Sequence, residues 1–215
     1  DDAEREAERC FLENATGPGH LAASCARHGL PLVTFSSDLV FDGERDSPYV
    51  ESDAIRPLNV YGQSKARAEQ LVLDRHPGAL VVRTSSFFGP WDEHNFITIA
   101  LRALRRGEAF RAAGDMTVSP TYVPDLVNAC LDLLIDREAG IWHLTNDGAV
   151  TWADLARRAA ALASIDASRL EDCSDQRRHL PAVRPRYSAL SSHRAFPMPT
   201  LGDALGRYVR QASLH

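Results

Sequence analysis

Two apolar runs that each end in hydroxyls constrain this chain most. "LPLVTFSS" carries an apolar run from 30 to 35 and closes on Ser36 and Ser37. "ALVVRTSSFFG", residues 79–89, repeats the pattern and closes on Thr84, Ser85 and Ser86. Runs with so little alternation suit strands covered on both faces, as in parallel sheets. Helical sequence separates them: Pro57 is expected in the first turn of a helix that runs to about Arg75, where "HPG" stops it. Helices are also expected at 3–28, interrupted near "TGPG", at 96–107, at 123–136 and at 151–163 with Thr151 as N-cap. A short strand is expected at 140–145. This alternation predicts an α/β fold, a Rossmann-like and mostly parallel sheet with helices on both faces. Residues 1–145 read as the catalytic part, with insertions from about 88–122, and 146–215 as a small substrate lobe. From about 166 the Pro, Arg and Ser content predicts an irregular extension over a cleft.

Composition removes several classes of function. A chain of 215 residues with 44% hydrophobic content can fill a sizeable core. No apolar run approaches the ~20 residues that cross a bilayer, and "DDAEREAERC" is acidic rather than signal-like, so a cytoplasmic protein with no membrane partner is expected. The formal charge of −5 provides no basic stripe for nucleic acid. Four cysteines without Cys-x-x-Cys spacing and eight histidines without His-x-x-x-His spacing point to neither a metal nor a disulfide framework.

The chemistry concentrates in "NVYGQSKARAEQ", residues 59–70. Tyr61 and Lys65 stand four apart and share a helical face. An ammonium near a phenol favours the phenolate, so Lys65 is expected to lower the Tyr61 pKa and make it a usable proton donor. In an open parallel sheet, ligands bind at the carboxyl ends of strands. Ser37, Tyr61 and Lys65 can converge there, with a hydroxyl orienting a carbonyl oxygen, a phenol protonating it and a lysine tuning the phenol. That is a proton-delivery site for ketone reduction, whose hydride must come from a cofactor.

"TFSSDLVFDG" and "PYVESDAIRPLNVYGQSKARAE" resemble the extended short-chain dehydrogenase/reductases, and within them the dTDP-4-dehydrorhamnose reductases. The resemblance continues through "RTSSFFG", "SPTYVPDL", "GIWHLTNDGAVTWADLA" and "RPRYSAL". It implies a catalytic triad of Ser37, Tyr61 and Lys65, with Lys65 also holding the nicotinamide ribose of NADPH or NADH. It implies that Thr84, Ser85 and Ser86 lie along the cofactor. Asp38, Trp91, Asn95 and Arg184 would then meet a nucleotide-sugar substrate, and Asn14 matches the family's helical asparagine or serves as a turn or cap residue. Position 37 usually holds threonine in that family, and Leu39 stands where it has tyrosine. Tyr187 and Ser191 replace an expected asparagine and aspartate.

No Gly-x-x-Gly-x-x-Gly phosphate loop occurs, and "GPGHLAASCARHG" has no strand before it. The expectation is therefore a C-terminal portion of a reductase, inactive alone, lacking roughly 60 residues of dinucleotide-binding half. The strand at 31–36 would then be an open edge, inviting a homodimer or pairing with that half. Two alternatives stay open. One is a non-catalytic subunit on the same scaffold, like the methionine adenosyltransferase beta subunit, and the other is a nucleotide-sugar epimerase or dehydratase.

Overall fold

The computed structural model describes residues 2–174, 181–194 and 198–212. The chain enters through α1 (Asp2–Arg5) and α2 (Ala7–Phe11), passes a single π turn (Leu12–Thr16) and continues as α3 (Gly17–His28). Gly29 ends α3 in the left-handed conformation, φ 62°, which glycine adopts without a Cβ clash. Then come β1 (Val33–Ser37), α4 (Val60–Arg75), β2 (Leu80–Thr84), β3 (Phe87–Phe88) and α5 (Phe96–Arg105). Short strands β4 (Phe110–Ala113), β5 (Thr117–Val118) and β6 (Thr121–Tyr122) lead to α6 (Val123–Ile135) and β7 (Gly140–His143). The remainder is β8 (Val150–Thr151), α7 (Trp152–Leu162), β9 (Leu170–Cys173) and α8 (Leu201–Gln211).

The central sheet is parallel with strand order β1-β2-β7, pairing Val33 with Leu80 and Leu80 with Gly140. The two-residue period of β2 sends its side chains to two cores. Val81 joins Ala22, Cys25 and Val72 beneath α3 and α4, while Leu80 and Val82 join Leu126, Leu133 and Trp142 beneath α6. Helices thus cover both faces, as expected, and each fully buried Leu or Val contributes about 1.5–3 kcal/mol. Away from the sheet, Phe88, Ile97, Tyr122, Leu155 and Tyr208 form another core, drawing on α5, α7 and α8.

Three expectations need correction. β1 is parallel but is not covered like β2: Val33 and Thr34 are half-buried and Phe35 is 44% exposed, because among the described residues β1 has β2 on one side only. Pro57 lies outside α4, whose N-cap is Asn59, its Oδ1 accepting from Gly62 N at 2.7 Å. Glu4 Oε1 accepts from Val60 N, so α1 completes that cap. The region beyond 166 is not simply irregular, since β9 pairs in parallel with β4 and α8 is a regular helix capped by Thr200.

Candidate active site

Ser37 ends β1, and the chain turns at once into a 3₁₀ turn, Asp38–Val40, capped by the Ser37 hydroxyl, which accepts from Leu39 N at 3.2 Å. The first turn of α4 packs directly on this exit. A Cβ on Gly62 would lie 2.2 Å from Leu39 O, so only glycine lets the helix approach so closely. The glycine after Tyr61 thereby fixes the phenol beside the strand end. Ser37, Asp38, Tyr61, Ser85 and Arg184 line one cavity of about 330 Å³, and Thr84 and Ser86 border it too.

Tyr61 also lines a second cavity of about 290 Å³, whose wall includes Cys10, Glu13 and Asn14. Asn14 sits within the π turn, a geometry frequent at functional sites. It is not a cap; its Nδ2 donates to Cys10 Sγ at 3.3 Å. Cys10 Sγ in turn lies 3.4 Å from Ser64 Oγ. Lys65 Nζ lies 5.7 Å from the centre of the Tyr61 ring and donates to Phe35 O at 3.2 Å, bracing α4 against β1. It is not among the residues lining the larger cavity.

The electrostatics differ from the expectation for Tyr61. Its phenol is pushed up, first by burial, then by the Asp38 carboxyl and the Cys10 thiol. Burial pushes the Lys65 ammonium down. Lys65 therefore does not turn Tyr61 into a phenolate here; the phenol is held protonated, which is the form a proton donor needs. Burial also pushes Asp38 up, opposed by hydrogen bonds from Ser188, Ser85 and Ser37.

The other expected residues divide. Ser85 Oγ donates to Asp38 Oδ2 at 2.8 Å, and Thr84 Oγ1 donates to Thr121 Oγ1 at 3.1 Å. Ser86 has φ 49°, unusual for a residue with a Cβ, at the hydroxyl-rich turn after β2. Asn95 is occupied as the N-cap of α5: Oδ1 accepts from Thr98 N while Nδ2 donates to Gly89 O, Asp92 O and Thr98 Oγ1. Its amide hydrogens are thus committed within the protein. Trp91 is 78% exposed and does not border the cavity. Ser188, which the sequence did not bring forward, joins Asp38 from 150 positions away. Among the described residues, no group of His, Cys, Asp and Glu side chains could hold a metal, and no helix is long and apolar enough to cross a membrane.

A parallel α/β sheet with a Tyr-x-x-x-Lys helix beside a hydroxyl-bearing strand exit defines the short-chain dehydrogenase/reductase class of architecture. Within it, the model of the RmlD substrate binding domain matches residues 1–203, and the chain belongs to that family. The dTDP-4-dehydrorhamnose reductase of Mycolicibacterium smegmatis is 39% identical over 197 residues, covering 91% of this chain and 60% of that protein. The dTDP-4-keto-6-deoxy-D-glucose reductase of Streptomyces niveus is 35% identical over 190 residues, covering 88% of this chain and 66% of that one. The dTDP-4-dehydrorhamnose reductase of Bacillus anthracis, crystallised with NADP, superposes with a TM-score of 0.93 at 29% identity, covering 99% of this chain and 76% of that chain. The chain thus spans less than two thirds of the length of the first of these relatives.

Proposed function

We propose that these residues form the proton-delivery and sugar-binding part of a nicotinamide-dependent reductase. Its substrate is the 4-keto group of a dTDP-linked 6-deoxyhexose, dTDP-4-dehydro-6-deoxy-L-mannose, and its product is dTDP-L-rhamnose. The observation that carries this reading is one cavity whose lining brings together Ser37, Asp38 and a protonated Tyr61. Tyr61 gives its proton to the carbonyl oxygen, and Ser37 donates a hydrogen bond to that oxygen as charge develops on it. Asp38 and Arg184 contact the nucleotide sugar from the cavity wall. Trp91 and Asn95 stay outside the proposal.

The residues fit the nicotinamide end of a cofactor. The buried Ser36 hydroxyl has no hydrogen-bond partner and lies on the same cavity, beside the hydroxyls of Thr84, Ser85 and Ser86. The Ser36 hydroxyl supplies a donor there, the Thr84 and Ser85 oxygens, whose protons go to Thr121 and Asp38, supply acceptors, and the Lys65 ammonium, outside this lining, is assigned to the ribose. Bound there, NADPH or NADH supplies the hydride. The pyrophosphate has no matching glycine turn in this sequence. The 215 residues alone should therefore bind NADPH weakly, and the open edge of β1 should pair with another copy or with a dinucleotide-binding half. Micromolar NADPH affinity in a fluorescence titration, or a concentration-independent monomer in sedimentation, would count against this.

The decisive test is Tyr61→Phe in a protein that carries these residues together with a dinucleotide-binding half. The ring is kept and only the hydroxyl is lost. Single-turnover oxidation of NADPH should slow roughly 10²-fold or more while the KM for the sugar nucleotide changes little. Undiminished turnover would refute the mechanism. No keto-sugar reduction by the wild type would favour the non-catalytic alternative.

A further inference from the structure

Asp38 is only 6% exposed, yet three hydroxyls donate to its carboxylate. Ser37 Oγ reaches Oδ1 at 3.0 Å, while Ser85 Oγ and Ser188 Oγ reach Oδ2 at 2.8 and 2.6 Å. Ser188 is carried by a segment that is fixed on both sides. Asn59 Nδ2 donates to Val183 O, Thr117 N to Arg186 O, Ser188 N to Thr117 O and Tyr49 N to Ala189 O, each at 2.8 Å. Gly43, at φ 76°, provides the seat, since a Cβ there would lie 2.4 Å from Pro185 Cβ.

A serine hydroxyl has one proton, and that of Ser37 points at Asp38 while Leu39 N occupies one of its lone pairs. To donate to a substrate carbonyl oxygen, Ser37 must turn away from Oδ1. A buried carboxylate that lost its only donor would resist that turn strongly. With Ser85 and Ser188 both on Oδ2, the anion keeps two donors when Ser37 leaves.

We propose that Ser188 is a positioning residue for the reduction: by holding Oδ2 of Asp38, it frees the Ser37 hydroxyl to turn to the substrate carbonyl. This rests on the reductase reading above. Tyr61 on α4 and Arg184 on the C-terminal segment are the other ionisable side chains on the wall of the cavity. Among the hydrogen bonds to Asp38, that from Ser188 opposes the upward push of burial most.

Ser188→Ala should lower kcat about tenfold, the scale of one hydrogen bond to a charged group, with KM little changed. It should also move the acid limb of the kcat profile to higher pH, because Asp38 then protonates more readily. Ser188→Thr keeps the hydroxyl and should recover most of both. A readout independent of turnover is the carboxyl ¹³C titration of Asp38, whose midpoint should rise in Ser188→Ala and return in Ser188→Thr. An unmoved Asp38 midpoint overturns the proposal, as does an equal loss of kcat in the alanine and threonine variants. A wild type that never reduces the keto sugar sinks the reductase reading and the role with it. The titration separately decides whether Ser188 holds Asp38.

Discussion

Arg83 and Thr84 are neighbours on β2, and they open onto two different polar interiors. On the Arg83 side, its guanidinium grips Glu69 of α4 through two bonds of 2.8 and 2.7 Å, both side chains almost wholly buried. Arg83 Nη1 also lies 3.4 Å from His143 Nε2, and His143 Nδ1 faces the carbonyls of Tyr49 and Ser191 at 3.1 and 2.9 Å. Because carbonyls only accept, Nδ1 carries the proton and Nε2 presents its lone pair to Arg83. Glu51 finishes the cluster, accepting from His143 N, Ser192 Oγ and His193 N. On the Thr84 side stands Asp38 with its three serine hydroxyls, beside an open cavity.

The difference lies in what can be re-aimed. A guanidinium fork is rigid and matched to a carboxylate, so the Arg83 cluster fixes α4 and the segment at 191–193 to the sheet. Hydroxyl rotors can change partner at little cost, so the Asp38 cluster suits a place where a ligand exchanges for an internal bond. Architecture rests on the first region, and adaptability is concentrated in the second.

The sharpest way to break this comparison is to remove one partner on each side. Arg83→Met leaves the Glu69 carboxylate buried without its partner and should cost about 3–5 kcal/mol in urea unfolding. Should that variant fail to fold, Arg83→Met combined with Glu69→Met removes both charges and should recover much of the loss. Asp38→Asn, by contrast, keeps shape and removes a buried charge while turning one acceptor oxygen into a donor that a serine hydroxyl can rotate to accept, so its stability at neutral pH should stay within about 1 kcal/mol of the wild type. Equal destabilisation by Arg83→Met and Asp38→Asn would erase the distinction between the two regions.

More of the second region than of the first was legible along the chain. An arginine inside "ALVVRT" needs a carboxylate if that strand is buried, but no spacing singles out Glu69 of α4, or His143 and Glu51, as its neighbours. Ser37, Tyr61 and Ser85 could be brought together because parallel-sheet topology collects strand ends and the following helix. Ser188 could not, since it reaches Asp38 through a loop with neither period nor spacing. The helix α8 shows a different failure. Leu201, Ala204, Leu205 and Tyr208 have helical spacing behind the Thr200 cap, but Gly202 and Gly206 each weaken a helix by ~1 kcal/mol relative to alanine. Packing against α7 and the Phe88 core overrides that cost. The Tyr61 environment was misjudged because helical spacing shows that Lys65 shares its face, but not that burial and Asp38 would outweigh it.

The two regions should also differ in the sign of their pH dependence. Burial holds the His143 imidazole below its ordinary value of about 6.5, aided by Arg83 and opposed by Glu51. As pH falls below ~6.5, the unfolded chain takes up a proton that the folded site refuses, so this region loses stability toward acid until the folded histidine titrates. The depressed carboxyl of Glu51 adds to the loss at lower pH, as protonation removes the acceptor of its three donors. Asp38 acts in the opposite direction, because its folded pKa is raised and the folded state binds the proton first. Its contribution to stability is fully present in acid and disappears as pH rises through the folded midpoint. Urea unfolding of wild type and Asp38→Asn between pH 3 and 7 isolates that contribution, since the His143 and Glu51 effects are common to both. The asparagine variant should gain relative to the wild type as pH rises from the ordinary aspartate range to the folded Asp38 midpoint, then keep a constant difference above it. A difference independent of pH across the whole range would show that the serine cage offsets the burial of Asp38 completely. The Thr84 side would then be as fully compensated as the Arg83 side.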